Sequence, residues 1–170
     1  MRLTKSFFER DVLEVAPDLL GKTLARRFDD GTKIKKVITE VEAYKGEEDL
    51  ACHASHGKTE RNKVMYETGG HVYVYFVYGM YWMLNIVTGK RDAPQAVLIR
   101  SLDGISGPGR VGKFLKLDKS FYREDVTKSN RIWLEDIPSL KKVRYKKSAR
   151  VGVNYAGTWA KKNWRFILPS

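Results

Sequence analysis

The stretch Val72-Tyr73-Val74-Tyr75-Phe76-Val77-Tyr78 is β-branched or aromatic at every position. Such side chains lose rotamer freedom in a helix and pack well on a pleated surface, so the run reads as a strand. Gly79 permits a tight turn, and Met80–Val87 continues as a second strand. Together they form a hairpin with Tyr78 close to its tip. A large ring beside a glycine turn is placed to protrude, although burial at the tip is the plainer account of it.

Other segments extend this frame. Lys33–Tyr44 alternates from Ile34 onward, which puts Val41 and Ala43 on one side and Glu40, Glu42 and Tyr44 on the other. Gln95–Leu102 is a further strand pattern, and Arg131–Leu134 and Arg150–Val153 read as short strands. Ser6, with Glu9 three residues on, has the form of a helix cap. Asp11–Leu20 is helical in pattern, with a break expected near Pro17 and a stop at Gly21, and Arg110–Leu117 is an apolar-periodic helix behind Gly107-Pro108-Gly109. A loop with a short helical turn near Leu50–His53 joins the strands. The expectation is an α+β fold: a single mixed domain over residues 1–170, with a mostly antiparallel curved β-sheet flanked by helices. The apolar runs are too short to span a bilayer, and the lone Cys52 can form no internal disulfide, so a reducing cytoplasmic, nucleoid-associated setting is expected.

Charge is unevenly spread. The net charge is +12; residues 1–103 hold 16 basic and 15 acidic side chains, while residues 104–170 hold 16 basic and 5 acidic. Such asymmetry suits a polyanion, because each neutralised phosphate releases counterions. A solvated basic face explains the same numbers.

Four features could carry chemistry. Glu42 is a strand carboxylate flanked by Val41 and Ala43, and with partial burial it could polarise an attacking water. An ordinary ion pair with a lysine is the simpler alternative. The tyrosines and Trp82 of residues 73–82 can pack a core, or stack on unpaired bases beside a basic surface. Cys52, His53 and His56 fit zinc spacing poorly, so no metal site is expected. Gly109 and Arg110 open a helix that could meet a phosphate, and the run Lys141–Lys147, with Lys146 and Lys147 at its end, could lie along a nucleic-acid backbone or form a solvated edge.

Read together, these segments resemble the alkyladenine (3-methyladenine) DNA glycosylase family. The matching stretches are Thr39–Tyr44 (TEVEAY), Glu48–His53 (EDLACH), Arg61-Asn62, Val72–Tyr81 (VYVYFVYGMY), Leu84-Asn85-Ile86, Ala96–Arg100 (AVLIR), Gly107-Pro108-Gly109 and Ala149–Ala160 (ARVGVNYAGTWA). The resemblance implies a base-flipping hydrolase acting on duplex DNA that contains damaged purines, working as a monomer without a cofactor and without a membrane. It implies that Tyr78 fills the gap left by the flipped nucleotide. Tyr44 and Tyr75 sandwich the base, His53 contacts its edge through the backbone, and Asn85 guards against the amino group of guanine. Glu42 activates the water, held with Arg100 and the carbonyl of Val151. Cys52 and Trp82-Met83 depart from the family pattern near the pocket, which leaves lesion preference open. A non-catalytic nucleic-acid-binding module accounts for the charge and the tyrosines equally well, but leaves Glu42 without a purpose.

Overall fold

A computed structural model describes residues 1–137 and 143–170. Lys141 and Lys142 of the basic run lie outside the described residues. Among the described residues, nine strands pair into one mostly antiparallel, curled sheet. The hairpin is β3 (Val72–Val77) and β4 (Tyr81–Val87), with Tyr73 opposite Asn85 and Tyr75 opposite Met83. Next come β5 (Gln95–Leu102), β2 (Lys33–Lys45), β1 (Thr23–Arg27) and β7 (Ile132–Glu135), in that spatial order. The two-residue β6 (Ile105–Ser106) folds back on β5, while β8 (Lys146–Ser148) pairs with β9 (Arg165–Ile167), which joins β2.

Alternation along these strands divides the molecule. Val41, Ala43, Val72, Val74, Leu84, Ile86, Val97 and Ile99 point into the main core. There they meet Val12, Val15, Ala16 and Leu19 of helix α2 (Val12–Leu19) and Val111 and Leu115 at helix α3 (Pro108–Phe114). Each fully buried aliphatic side chain contributes about 1.5–3 kcal/mol of transfer free energy. Their sequence neighbours point to the opposite face. Tyr73, Asn85, Leu98 and Glu42 are successive cross-strand partners on β3, β4, β5 and β2, so they form one row on that face. The expected α+β class and antiparallel curved sheet with flanking helices are therefore present.

Several local expectations are corrected. Helix α1 is only Lys5–Phe8; its cap is Thr4, whose hydroxyl meets that of Ser6 at 2.9 Å instead of bonding a backbone N–H. In α2, Asp11 caps by accepting from the Leu13 amide at 2.9 Å, and the helix runs through Pro17 because its buried face holds it against β2 and β5. The turn expected near Leu50–His53 is a 3-10 segment at His53–His56. Arg150–Val153 is not a strand: Gly152 has φ 73°, and residues 151–152 form a turn leading into a 3-10 segment, Asn154–Lys161. Strand β1 carries no clear sequence signal because it ends in Arg26-Arg27. Arg26 is nonetheless buried, stacked on Phe28 and Phe121 at 4.7 Å each and donating to the Leu115 carbonyl.

Two backbone positions bear on the site. Helix α3 lies so close to β4 that a Cβ on Gly112 would stand 1.8 Å from the Trp82 carbonyl oxygen. At the hairpin tip, Tyr78 and Gly79 both have positive φ, 54° and 63°, as in a type I′ turn, and the Met80 amide donates to the Val77 carbonyl. A left-handed tyrosine costs about 1–2 kcal/mol.

Two outcomes follow for stability. Gly112→Ala should lose about 2–4 kcal/mol in chemical denaturation, because backbone and not a flexible side chain blocks the methyl group. Tyr78→Asn should gain about 0.5–1 kcal/mol in the same measurement, since asparagine tolerates the left-handed region.

Candidate active site

On the face opposite the main core lies a cavity of about 480 Å³. That is within the roughly 300–1,000 Å³ typical of small-ligand sites. Glu42, Tyr44, His53, Tyr75, Tyr78, Asn85, Gly109, Arg110, Arg100 and Val151 all contribute to its wall. Every residue given a base-contacting, catalytic or DNA-backbone role from the sequence is thus gathered here except Lys146 and Lys147. These two lie on the exposed strand β8, away from the lining.

The bulge of β2 near Glu40 precedes the regular pairing that delivers Glu42 opposite Leu98. The Glu42 side chain has 0% exposure. A buried carboxylate is tolerated only if its oxygens are satisfied. One oxygen accepts from Arg100 Nη1 at 3.0 Å, with the Tyr44 hydroxyl at 3.4 Å, and the other accepts from the Val151 N–H at 2.7 Å. Val151 therefore reaches Glu42 through its amide. Burial pushes the Glu42 carboxyl above its ordinary range, and Arg100 and the Val151 amide pull it part of the way back. Arg100 is itself held: its Nε donates to Glu40 at 2.9 Å, and Glu40 also accepts from Arg165 and Ser101.

The aromatic wall comes from alternate positions of β2 and β3. Tyr75 packs 4.4 Å from the His53 ring, centroid to centroid, and the Arg61 guanidinium lies 5.1 Å from the Tyr75 ring. His53 Nδ1 is 2.8 Å from the Tyr73 hydroxyl, so this histidine is oriented by a phenol. The His53 carbonyl accepts from Asn62 Nδ2 at 3.1 Å, which fixes the backbone of the 3-10 turn. Burial, with the nearby Arg61 charge, lowers His53 to about 4, so the ring is neutral near pH 7. Burial likewise raises the Tyr44 hydroxyl and pushes Tyr75 up to about 12, so both stay protonated. Asn85 donates to the Tyr73 carbonyl at 3.2 Å and is 3% exposed.

Tyr78 is 85% exposed at the rim. The expectation that its ring protrudes is met. Tyr155, 72% exposed, stands on the same rim. Sequence reasoning missed it, along with Met65, although NYAG sits inside a stretch already matched; Tyr81, one of the tyrosines read as possible stacking rings, also lines the cavity. The cluster Cys52, His53 and His56 is dispersed: Cys52 is buried, His53 turns to Tyr73 and His56 is exposed. Among the described residues no helix is long and apolar enough to cross a membrane.

A deep cavity with a buried, hydrogen-bonded carboxylate at its wall and stacked aromatic rings suits a flat, uncharged or cationic heterocycle beside a reacting bond. Comparison with known proteins agrees. The methylpurine-DNA glycosylase family matches residues 6–106 and 103–170. Relatives named "Putative 3-methyladenine DNA glycosylase" include one from Methanocella arvoryzae, 42% identical, covering 96% of this chain and 90% of its own. Another, from Legionella pneumophila, is 40% identical over 98% and 94% respectively. A third, from Natranaerobius thermophilus, is 36% identical over 99% and 96%. This chain belongs to the methylpurine-DNA glycosylase family.

Proposed function

We propose that this DNA glycosylase acts on duplex DNA, flips alkylated or deaminated purines out of the stack, and hydrolyses their N-glycosidic bond with a water activated by Glu42. The product is an abasic site in an unbroken strand. The observation that carries the reading is the position of Glu42: a fully buried carboxylate on the wall of an aromatic cavity, oriented by Arg100 and Val151.

The steps rest on ordinary chemistry. Positive charge develops on the sugar as the bond to the base lengthens. Glu42 stabilises that charge and takes a proton from water as it attacks C1′. Its two oxygens hold more acceptor sites than Arg100 and Val151 occupy, so one remains for the water. The Val151 carbonyl is assigned as the second partner of that water. Extruding a base costs a few kcal/mol, and a mispaired or damaged base resists less. Tyr78 offsets part of that cost by occupying the vacated space. Tyr44 and Tyr75 clamp the extruded ring, each stacking contact adding about 1–3 kcal/mol. His53 meets the base edge, and Asn85 discriminates against the amino group of guanine. Gly109 and Arg110 at the rim, with Lys146 and Lys147 on β8, take the DNA backbone. The enzyme works as a monomer in the cytoplasm, on nucleoid DNA.

The test is incubation with duplexes carrying single 3-methyladenine, 7-methylguanine, hypoxanthine or ethenoadenine lesions, followed by alkali. Strand breaks that appear only after alkali support hydrolysis; a mobility shift with no breaks for any lesion favours a binding module. Glu42→Gln should bind damaged duplex as tightly as the parent and lose about 10²–10⁴ of the excision rate. Near-parental excision by that variant removes Glu42 from its role.

The pH profile gives a separate check. The base must be ionised, so single-turnover excision should fall as acid protonates Glu42. Because burial raises this carboxyl, the acid limb should lie above the range of an exposed glutamate. His53, at about 4, should leave the profile flat through the histidine range.

A further inference from the structure

Among the described residues, the most deeply buried ion pair stands against Tyr44 of the cavity wall. Arg150 and Asp49 both have 0% side-chain exposure and meet fork to fork, at 2.6 and 2.9 Å. Arg150 Nη1 also donates to the Ala43 carbonyl of β2 at 3.0 Å, and Nη2 to the Trp159 carbonyl at 3.1 Å. All four Nη hydrogens are thereby committed. The guanidinium plane lies 4.9 Å from the Tyr44 ring and 5.0 Å from that of Trp164. Asp49 is fixed in turn, accepting from the Lys45 and Ala51 amides at 3.0 and 3.1 Å.

Arg150 directly precedes Val151, whose N–H bonds Glu42. Residues 151–152 are an exposed turn, with Val151 itself 47% exposed, so the turn is anchored by buried Arg150 on one side and by Val153 and Ala156, packed with Ala51, on the other. We propose that the Arg150–Asp49 pair is a positioning clamp, which holds the Val151 amide against Glu42 and backs the Tyr44 ring. The inference rests on the glycosylase reading for its kinetic consequence, though the clamp itself is a statement about geometry. A planar guanidinium is needed for the task, since its two forked Nη groups must bond two oxygens of one carboxylate and two carbonyls while its face meets a ring; its Nε, buried without a partner, takes no part.

The experiment uses Arg150→Lys and the double variant Asp49→Asn/Arg150→Met in the full chain. Lysine keeps the positive charge without the fork. The double variant removes both charges, which avoids stranding one of them in the interior. Folding is followed by thermal denaturation, binding by titration of damaged duplex, and excision by single-turnover rates across pH. Both variants should bind within a few-fold of the parent and excise about tenfold to a hundredfold more slowly, as small displacements near a reacting centre do. Arg150→Lys should also move the acid limb to higher pH, because Glu42 loses a donor that favours its ionised form while Arg100, Arg165, Glu40, Tyr44 and Tyr75 around it are unchanged.

A substrate-free reading separates the clamp from the glycosylase assignment. The Val151 amide proton, followed by NMR through an acid titration, should report Glu42 protonation in the parent and lose that response in both variants. An inactive parent whose Val151 amide behaves in this way sinks the glycosylase reading and leaves the clamp standing. The clamp is overturned by a folded variant with parental excision rate and pH profile, or with a parental Val151 titration. It is equally overturned if neither variant folds, which would make the pair scaffolding alone.

Discussion

A carboxylate with no solvent contact must be surrounded by donors, or it takes up a proton and ceases to be an anion. The architecture around Glu42 answers that demand. The pairing of β2 with β5 brings Arg100 within hydrogen-bond distance, and the turn at residues 151–152 brings an amide from the far end of the chain. Neither donor is local in sequence. A buried charge is therefore sustained at this position only when the sheet is closed and the C-terminal segment has docked against it. Glu40 extends the same logic outward, because it fixes Arg100 and is itself neutralised by Arg165 from β9.

Around this charge the aromatic and imidazole groups of the wall are kept uncharged. The phenols of Tyr44 and Tyr75 stay protonated through burial, and His53 stays neutral for the same reason with help from Arg61. A flat heterocycle entering here meets aromatic faces, one oriented anion and few competing charges. The cations that could attract DNA stand at the rim or on the exposed edge strand β8. On the proposed reading, long-range attraction to phosphate and short-range selection of a base fall to different parts of the surface, so changes in salt act mainly on the first.

Much of this was legible in the sequence, for a physical reason. Strand alternation in Lys33–Tyr44 is a direct record of which face each residue takes, so the placing of Glu42 and Tyr44 on one side follows from period two, whereas Tyr75 and Asn85 join them through the pairing of β3, β4, β5 and β2, which only the family resemblance anticipated. What stayed hidden is of a different kind. Arg150–Val153 has an alternating pattern, yet Arg150 is drawn inward by a partner 101 residues away and Gly152 turns the chain. A pairing over that distance leaves no local trace. Strand β1 was masked by its arginines, because Arg26 reaches a carbonyl and two aromatic rings that only the tertiary fold brings to it. Tyr155 was passed over because a lone tyrosine in a Gly-containing segment has no periodicity to place it. Pro17 failed to break α2 because tertiary packing outweighed the loss of one backbone bond.

The bulge in β2 between Ile38 and Val41 has a consequence for how such a chain can change its length. A single inserted residue within Val41–Tyr44 would exchange the two sides of the strand, driving Glu42 into hydrocarbon and turning Val41 toward the cavity. The irregularity sits just upstream of that stretch, so it can take up a mismatch arising on the β1 side before it arrives. Insertions and deletions are therefore tolerable in the loops and on the far side of this hinge in register. Between it and Lys45 the chain can evolve by substitution only.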